Sequence, residues 1–179
     1  MSAVHATQLQ VSTQGLILPN GLRIASVNVV LPMPVVQINP FFLPEGTTVD
    51  LDAVIEAPDI EAYLNKRQPS GMTNFSVKAE NGALTVVAIA KVIVSVQVGA
   101  EGTLEFSAGK LIFVPKRAEV GGVRMPDGMM RDQLNKVNPI IDTTGYPIEA
   151  TVKSIKIGDG VVKLSGRTVV TAPIPRREP

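Results

Sequence analysis

The sequence predicts an α+β fold dominated by β-strands, in which a long, strongly curved antiparallel sheet wraps around one or two helices. Apolar residues recur at every second position through much of the chain, and this period is typical of strands with one buried face. The chain also contains 15 Gly and 14 Pro, a content that favours frequent turns over long helices. No segment alternates strand and helix in the manner of a parallel sheet, so we expect antiparallel pairing.

The composition limits both the number of domains and the classes of function. A length of 179 residues fits one domain, and we expect residues 1–171 to form it and the Pro-rich residues 172–179 to be a disordered tail. The 17 Lys and Arg nearly balance the 16 Asp and Glu, so no long-range attraction to nucleic acid is expected. The absence of Cys excludes disulfides, thiol catalysis and Cys-based metal sites. We predict neither a cofactor nor a nucleic-acid partner.

The first residues do not combine a charged region with an apolar run, as a secretory signal would. The most apolar stretch, residues 83–100, contains Lys91, Ser95 and Gln97 and is rich in β-branched residues, which favours a strand over a membrane span. We therefore expect a soluble chain without signal peptide or transmembrane segment. Such a chain would act at the membrane or in the cell envelope if a leader has been removed, and in the cytoplasm otherwise.

Residues 86–98 are predicted to form one unusually long strand. One face of this strand carries only Val and Ala, which makes a smooth surface suited to contact with a bulky apolar group. The residues of this face are Val86, Ala88, Ala90, Val92, Val94, Val96 and Val98.

Tight turns are predicted at glycine dipeptides, because Asn-Gly, Asp-Gly and related pairs adopt the positive φ angles of short hairpins. These pairs are Asn81-Gly82, Glu101-Gly102, Ala108-Gly109 and Asp159-Gly160. The pattern Ile24-Ala-Ser-Val-Asn-Val recurs as Val152-Lys-Ser-Ile-Lys-Ile, and in both copies the apolar phase changes within the strand. Such a change indicates a β-bulge, so we predict bulges near Ser26 and Ser154 and a curved sheet.

Two segments predict helix. Pro58 suits the first turn of a helix that runs to about Arg67. Asp127 can cap a second helix, which carries Met130 and Leu134 on one face and ends before Pro139.

Several of these segments follow one another as in a known family. In chain order they are the helix Asp59-Ile-Glu-Ala-Tyr-Leu-Asn, the Asn81-Gly82 hairpin, the long aliphatic strand, Leu111-Ile-Phe-Val-Pro, Val120-Gly-Gly-Val, Met125-Pro, Leu134-Asn-Lys-Val-Asn-Pro-Ile-Ile-Asp and a closing hairpin from Val152. Over residues 16–170 the chain resembles the LmeA-like phospholipid-binding family of bacterial envelope-associated proteins. The resemblance implies a fold similar to tubular, BPI-like lipid-binding domains with an apolar groove. It also implies phospholipid binding without catalysis, in envelope lipid maintenance.

The candidate site has an apolar part and a basic part. Burial of an acyl chain would supply about 0.8 kcal/mol per CH₂ in a groove lined by small aliphatic side chains. The predicted groove residues are Val86, Ala88, Ala90, Val92, Val94, Val96, Met130 and Leu134. Basic residues near the groove mouth would favour anionic headgroups. The predicted headgroup residues are Lys116, Arg117 and Arg124.

Other functions remain open from the residues alone. His5 is the only histidine and lies near a terminus, without a plausible catalytic partner. Asp50, Asp52 and Glu56 share one side of a strand, which indicates a solvated face more than a calcium or catalytic site. We therefore predict a non-enzyme whose partner is phospholipid or another acyl-chain lipid, with peripheral membrane contact. The alternatives are a ligand-free structural or protein-interaction domain and, third, a carboxylate-dependent hydrolase; the oligomeric state is left open.

Overall fold

The computed structural model describes residues 3–5, 7–32, 35–38, 41–43, 46–91, 94–126, 128, 137–144, 148–171 and 174–175. In chain order the strands are β1 (Ala3–His5), β2 (Gln8–Ile17), β3 (Arg23–Pro32), β4 (Val35–Ile38), β5 (Phe41–Leu43), β6 (Thr48–Glu56), β7 (Thr73–Glu80), β8 (Ala83–Lys91), β9 (Ser95–Ser107), β10 (Lys110–Val120), β11 (Val123–Arg124), β12 (Ile141–Asp142), β13 (Ile148–Gly158), β14 (Val161–Val170) and β15 (Ile174–Pro175). Among the described residues, one α-helix is present over its full length, α1 (Ala57–Arg67). A 3₁₀ turn follows it at Pro69–Gly71.

The strands form two large sheets and one small sheet. The five-stranded sheet has the order β13-β14-β6-β3-β2, and the six-stranded sheet has the order β11-β10-β9-β8-β7 with β12 paired to β10. The small sheet has the order β1-β4-β5-β15. All pairings among the described strands are antiparallel. The predicted β-dominated antiparallel fold is confirmed, while the sheet curvature and the domain boundary at residue 171 stay predictions.

The predicted long strand over residues 86–98 is wrong, because this segment is a hairpin. Strand β8 ends at Lys91, β9 begins at Ser95, and these two residues are cross-strand partners. Further along the hairpin, Ala90 pairs with Val96. Directly opposed residues of an antiparallel pair project from the same side of the sheet. The aliphatic residues of the segment therefore share one face, as predicted, although they belong to two strands.

Three of the four predicted glycine turns are confirmed. Asn81-Gly82, Ala108-Gly109 and Asp159-Gly160 connect adjacent strands, and all six residues have positive φ. The predicted turn at Glu101-Gly102 is wrong, because both residues lie within β9 and pair with β8 and β10. Gly102 is required there for another reason: a Cβ atom at this position would lie 2.2 Å from the backbone oxygen of Val114.

One of the two predicted bulges is present. The register between β13 and β14 shifts between Val152 and Ser154, next to Gly166 on the opposite strand. At Ser26 the predicted bulge is wrong, because the offset between β2 and β3 stays constant on both sides of this residue. Two further register shifts that the sequence did not indicate lie in β10, between Pro115 and Arg117, and in β7, between Thr73 and Ser76.

Helix α1 fills the space beside the two large sheets. As predicted, a Pro occupies its first turn, and it ends at Arg67, where Gln68 adopts the left-handed conformation. Its buried residues are Ala57, Ile60, Tyr63 and Leu64. The side chain of Asn65 accepts a hydrogen bond from Phe75 N (2.8 Å) and donates one to Phe75 O (3.0 Å), which fixes the helix to β7.

The two large sheets meet where two of the glycine turns come together. Gly82 N donates to Ile157 O (3.0 Å), and Gly160 N donates to Ala79 O (2.9 Å). These hydrogen bonds join the β7–β8 hairpin of one sheet to the β13–β14 hairpin of the other. The buried core extends from this junction under α1 and includes Leu22, Ile55, Leu84, Leu104, Leu111 and Val162.

The predicted second helix lies for the most part outside the described residues. The chain after it is attached to β10 through Asn138, whose side chain accepts a hydrogen bond from Phe113 N (2.8 Å) and donates one to Phe113 O (2.9 Å). Ile140 N then donates to Leu111 O (2.9 Å). Residues 138–142 therefore run along the edge of β10, and the last two of them form β12.

Candidate functional site

One side of the six-stranded sheet carries an uninterrupted set of aliphatic side chains, which we call the aliphatic face. Its members are assigned by register, because each is the direct cross-strand partner of another member or lies two residues from one on the same strand. The aliphatic face comprises Val86, Ala88, Ala90, Val96, Val98, Ala100, Ala118, Val120 and Val123. It spans β8, β9, β10 and β11 and contains no charged residue.

The aliphatic face begins in the core and ends at the surface. On the same side of the sheet, Leu84 and Leu104 are buried and belong to the core cluster that also contains residues of α1 and of the second sheet. Ala88 and Ala118 are buried, with 2% and 6% of their surface exposed, whereas Val96 and Val120 are half-buried and Val123 is 71% exposed. The sheet therefore presents a continuous apolar surface whose outer part other described residues only partly cover.

The predicted groove residues divide into three groups. Val86, Ala88, Ala90 and Val96 lie together on the aliphatic face. Val94 lies at the bend before β9 and is 67% exposed. The remaining three lie outside the described residues: Val92, Met130 and Leu134. Contact of any of these residues with lipid stays a prediction.

The predicted headgroup residues lie on the other side of the sheet. Arg117 forms an ion pair with Glu119, and Arg124 is the cross-strand partner of Glu119. Ala118 lies between Arg117 and Glu119 on β10 and belongs to the aliphatic face. Arg117 and Glu119, together with Arg124 opposite Glu119, therefore project from the other face. Lys116 is exposed at the β10 bulge. These cations therefore do not lie on the aliphatic face itself, and their role stays a prediction.

A depression of about 470 Å³ lies where β13 approaches the end of the β9–β10 hairpin. Its walls combine apolar and polar groups. The lining residues are Phe106, Ser107, Ala108, Gly109, Thr143, Thr144, Glu149, Ala150, Thr151 and Val152. Sequence patterns indicated the Ala108-Gly109 turn, but the approach of β13 to it is a tertiary contact without a local signal.

The carboxylate beside this depression is held in its charged form. Thr144 donates two hydrogen bonds to Asp142 Oδ1, from its hydroxyl (2.6 Å) and from its backbone N–H (3.0 Å). Lys110 Nζ lies 3.7 Å from Asp142 Oδ2. The hydrogen bonds from Thr144, with a smaller contribution from Lys110, lower the pKa of Asp142 below its ordinary value of 3.8.

The acidic residues predicted to be solvated lie at the surface. Asp52 and Glu56 are exposed, and Asp50 pairs with Arg167 (3.1 Å). In the part of the chain that the structure describes, no three His, Asp or Glu side chains are grouped so that they could hold a metal ion. No helix within the same residues has the length and apolar character needed to cross a membrane.

Contiguous apolar surface that remains accessible on a folded domain is typical of sites that contact an apolar ligand, a membrane or another protein. The sequence model of the LmeA-like phospholipid-binding family matches residues 4–167 of this chain. The protein therefore belongs to the LmeA-like phospholipid-binding family, and lipid binding is the function that this membership indicates. No curated protein and no solved structure matched the chain.

Proposed function

We propose that this protein binds phospholipid, or another acyl-chain lipid, without catalysis, and that the acyl chain lies in an apolar groove along the aliphatic face. The observation that carries the proposal is the continuity of this face, which runs uncharged from the buried Ala88 to the 71% exposed Val123 across four strands. Each CH₂ group transferred from water to such a surface contributes about 0.8 kcal/mol.

The side chains of the aliphatic face suit a flexible chain. All nine are Val or Ala, so the surface is shallow and has no ring that an acyl chain would have to displace. Its outer part is half-buried or exposed, so a lipid could reach it without opening the core around Leu84 and Leu104. These features support uptake and release of lipid, and hence transfer at a membrane surface, within envelope lipid maintenance.

A bulky substitution at Ala90 tests the proposal. Ala90 is half-buried on the aliphatic face, and Ala90→Trp would occupy the space of the acyl chain there. Loss of contact with two CH₂ groups costs about 1.6 kcal/mol, which weakens binding by about fifteenfold. We expect this loss in titrations with a phospholipid that carries a fluorescent acyl chain, and a smaller bound fraction in native mass spectrometry with phosphatidylglycerol.

The matched control is Val87→Trp, on the same strand but on the opposite face, where Val87 pairs with Gly99. This variant should bind lipid like the wild type, and thermal unfolding should show both variants to be folded. Equal binding by Ala90→Trp and the wild type would place the lipid elsewhere. If Ala90→Trp unfolds the domain instead, the site is a filled core that tolerates no extra volume. That result would favour a ligand-free structural or protein-interaction domain.

A further inference from the structure

Strand β2 forms an outer edge of the five-stranded sheet and has unusual properties for an edge strand. It extends over ten residues, Gln8–Ile17, with the sequence QLQVSTQGLI. None of these residues is charged or Pro, and the pairing with β3 continues without a register shift. One irregularity lies near the end of the strand, where Gly15 has a φ of 66° and the Gly15–Ala25 pair is missing from the ladder. Three of its four apolar side chains are exposed to solvent, namely Val11 (45%), Leu16 (43%) and Ile17 (69%), and Leu9 is half-buried. Among the described strands, β2 pairs only with β3.

The other edges of the two large sheets are protected against pairing. Edge strand β7 carries Lys78 and Glu80 and lies against α1. Edge strand β13 carries Lys153 and Lys156 and contains the bulge at Ser154. Edge strand β11 is only two residues long. Charges, bulges, shortness and a covering helix are the means by which proteins prevent a sheet edge from adding another strand. Strand β2 has none of them.

The side chains of β2 leave its backbone edge accessible. Gln10 Nε2 and Ser12 Oγ both donate to Asn28 Oδ1 on β3, at 2.8 Å and 2.9 Å. These two polar side chains are therefore held towards β3 and away from the free edge. On the other face, Val11 and Thr13 pair with Val29 and Val27, which continue the inner side of the sheet.

We propose that β2 pairs with β2 of a second copy of this chain, antiparallel and about a two-fold axis, to join two five-stranded sheets into one. A two-fold axis perpendicular to the sheet leaves each side chain on its original face of the sheet. Two residues that pair across the axis must therefore both have even numbers or both have odd numbers. Pairing centred on Ser12 does so, and it places residues 8–16 of the two copies along a seam of about 31 Å.

Charge is the reason that the proposed occupant is a second copy. The uncharged edge brings no like charges together when it meets itself, and the chain as a whole has a net charge of only +1. A strongly basic or acidic partner strand would find no complementary charge on this edge. In the proposed dimer, Val11 of each copy lies opposite Thr13 of the other. The inference does not depend on the lipid site, which lies on the other large sheet.

A charge at the centre of the seam tests the proposal by sedimentation equilibrium. We expect the wild type to dimerise, and Ser12→Lys to raise the dimer dissociation constant by at least about tenfold, because two like charges would face each other across the axis. Ser76→Lys is the matched control, since Ser76 is exposed on β7 and gives the same change in net charge. It should dimerise like the wild type.

An equimolar mixture of Ser12→Lys and Ser12→Glu should recover the dimer, because the charges then complement each other. Circular dichroism should show that the variants are folded. Gln14→Lys places a charge at a second exposed position of the same edge and should also weaken the dimer. A wild type that stays monomeric overturns the proposal. A dimer that Ser12→Lys and Gln14→Lys leave intact, or that Ser76→Lys weakens equally, overturns it as well. Failure of the mixture to recover the dimer overturns the pairing centred on Ser12.

Discussion

Replacing Gly102 by Ala should destabilise the six-stranded sheet, although Gly102 is in an ordinary strand conformation. A Cβ atom there would lie 2.2 Å from Val114 O and 2.6 Å from Pro115 Cα, and no side-chain rotation can relieve contacts with backbone atoms. The β9–β10 ladder must separate at the bulge, which combines overpacking of about 1–3 kcal/mol with a weakened hydrogen bond of about 1 kcal/mol. We expect a loss of about 2–4 kcal/mol, or about 4–16 °C in melting temperature.

Gly99→Ala is the matched control, because Gly99 lies three residues away on the same strand. Its added Cβ would meet only Val87 Cγ2, at an ordinary 4.0 Å. This variant should be unchanged or up to about 1 kcal/mol more stable, since Ala restricts the unfolded chain. Urea unfolding of both variants gives the comparison. If Gly102→Ala unfolds at the same urea concentration as Gly99→Ala, close approach to β10 is not what requires glycine at this position.

Two further predictions concern charged groups. Replacing Lys116, Arg117 and Arg124 together by Ala should weaken binding to anionic vesicles at low salt, with a smaller difference at physiological ionic strength, where the Debye length is about 8 Å. Equal binding of both proteins at low salt would remove these cations from the site. Thr144→Val should raise the pKa of Asp142 towards 3.8, because the hydroxyl hydrogen bond to the carboxylate is lost. Because the pKa of Asp142 is lower in the folded protein than in the unfolded chain, its carboxylate stabilises the fold above pH 3.8, and this stabilisation is lost as the pH falls through the folded-state pKa. Carboxyl NMR titration and acid unfolding should therefore both detect the change.

Local patterns predicted the elements whose causes are local. The turns at Asn81-Gly82 and Asp159-Gly160 form where positive φ angles are needed, and Pro58 lies in the first turn of α1, which are the positions that these residue types favour. Gly102 was misinterpreted because a glycine required by close approach to another strand looks the same in sequence as a turn glycine. The requirement comes from Val114, on a strand that only the tertiary structure brings close.

The β8–β9 hairpin was missed for a related reason. Lys91 pairs with Ser95, so cross-strand partners throughout this hairpin have position numbers of equal parity. A hairpin of this kind continues the alternation of apolar residues through its bend, and its sequence therefore has the same period as an uninterrupted strand. The bend contains no Gly or Pro to indicate it. Period-two patterns thus identify the face to which a residue belongs, but not the strand.

This difference between face and strand changes the shape of the proposed lipid site. A single strand over residues 86–98 would present a row of side chains one residue wide. The hairpin, together with β10 and β11, places the same Val and Ala residues beside Ala118, Val120 and Val123. Four strands at a spacing of about 4.8 Å give a surface about 14 Å across. Such a surface can contact an acyl chain along several strands at once, so the corrected topology provides more apolar contact for a lipid than the predicted strand would have done.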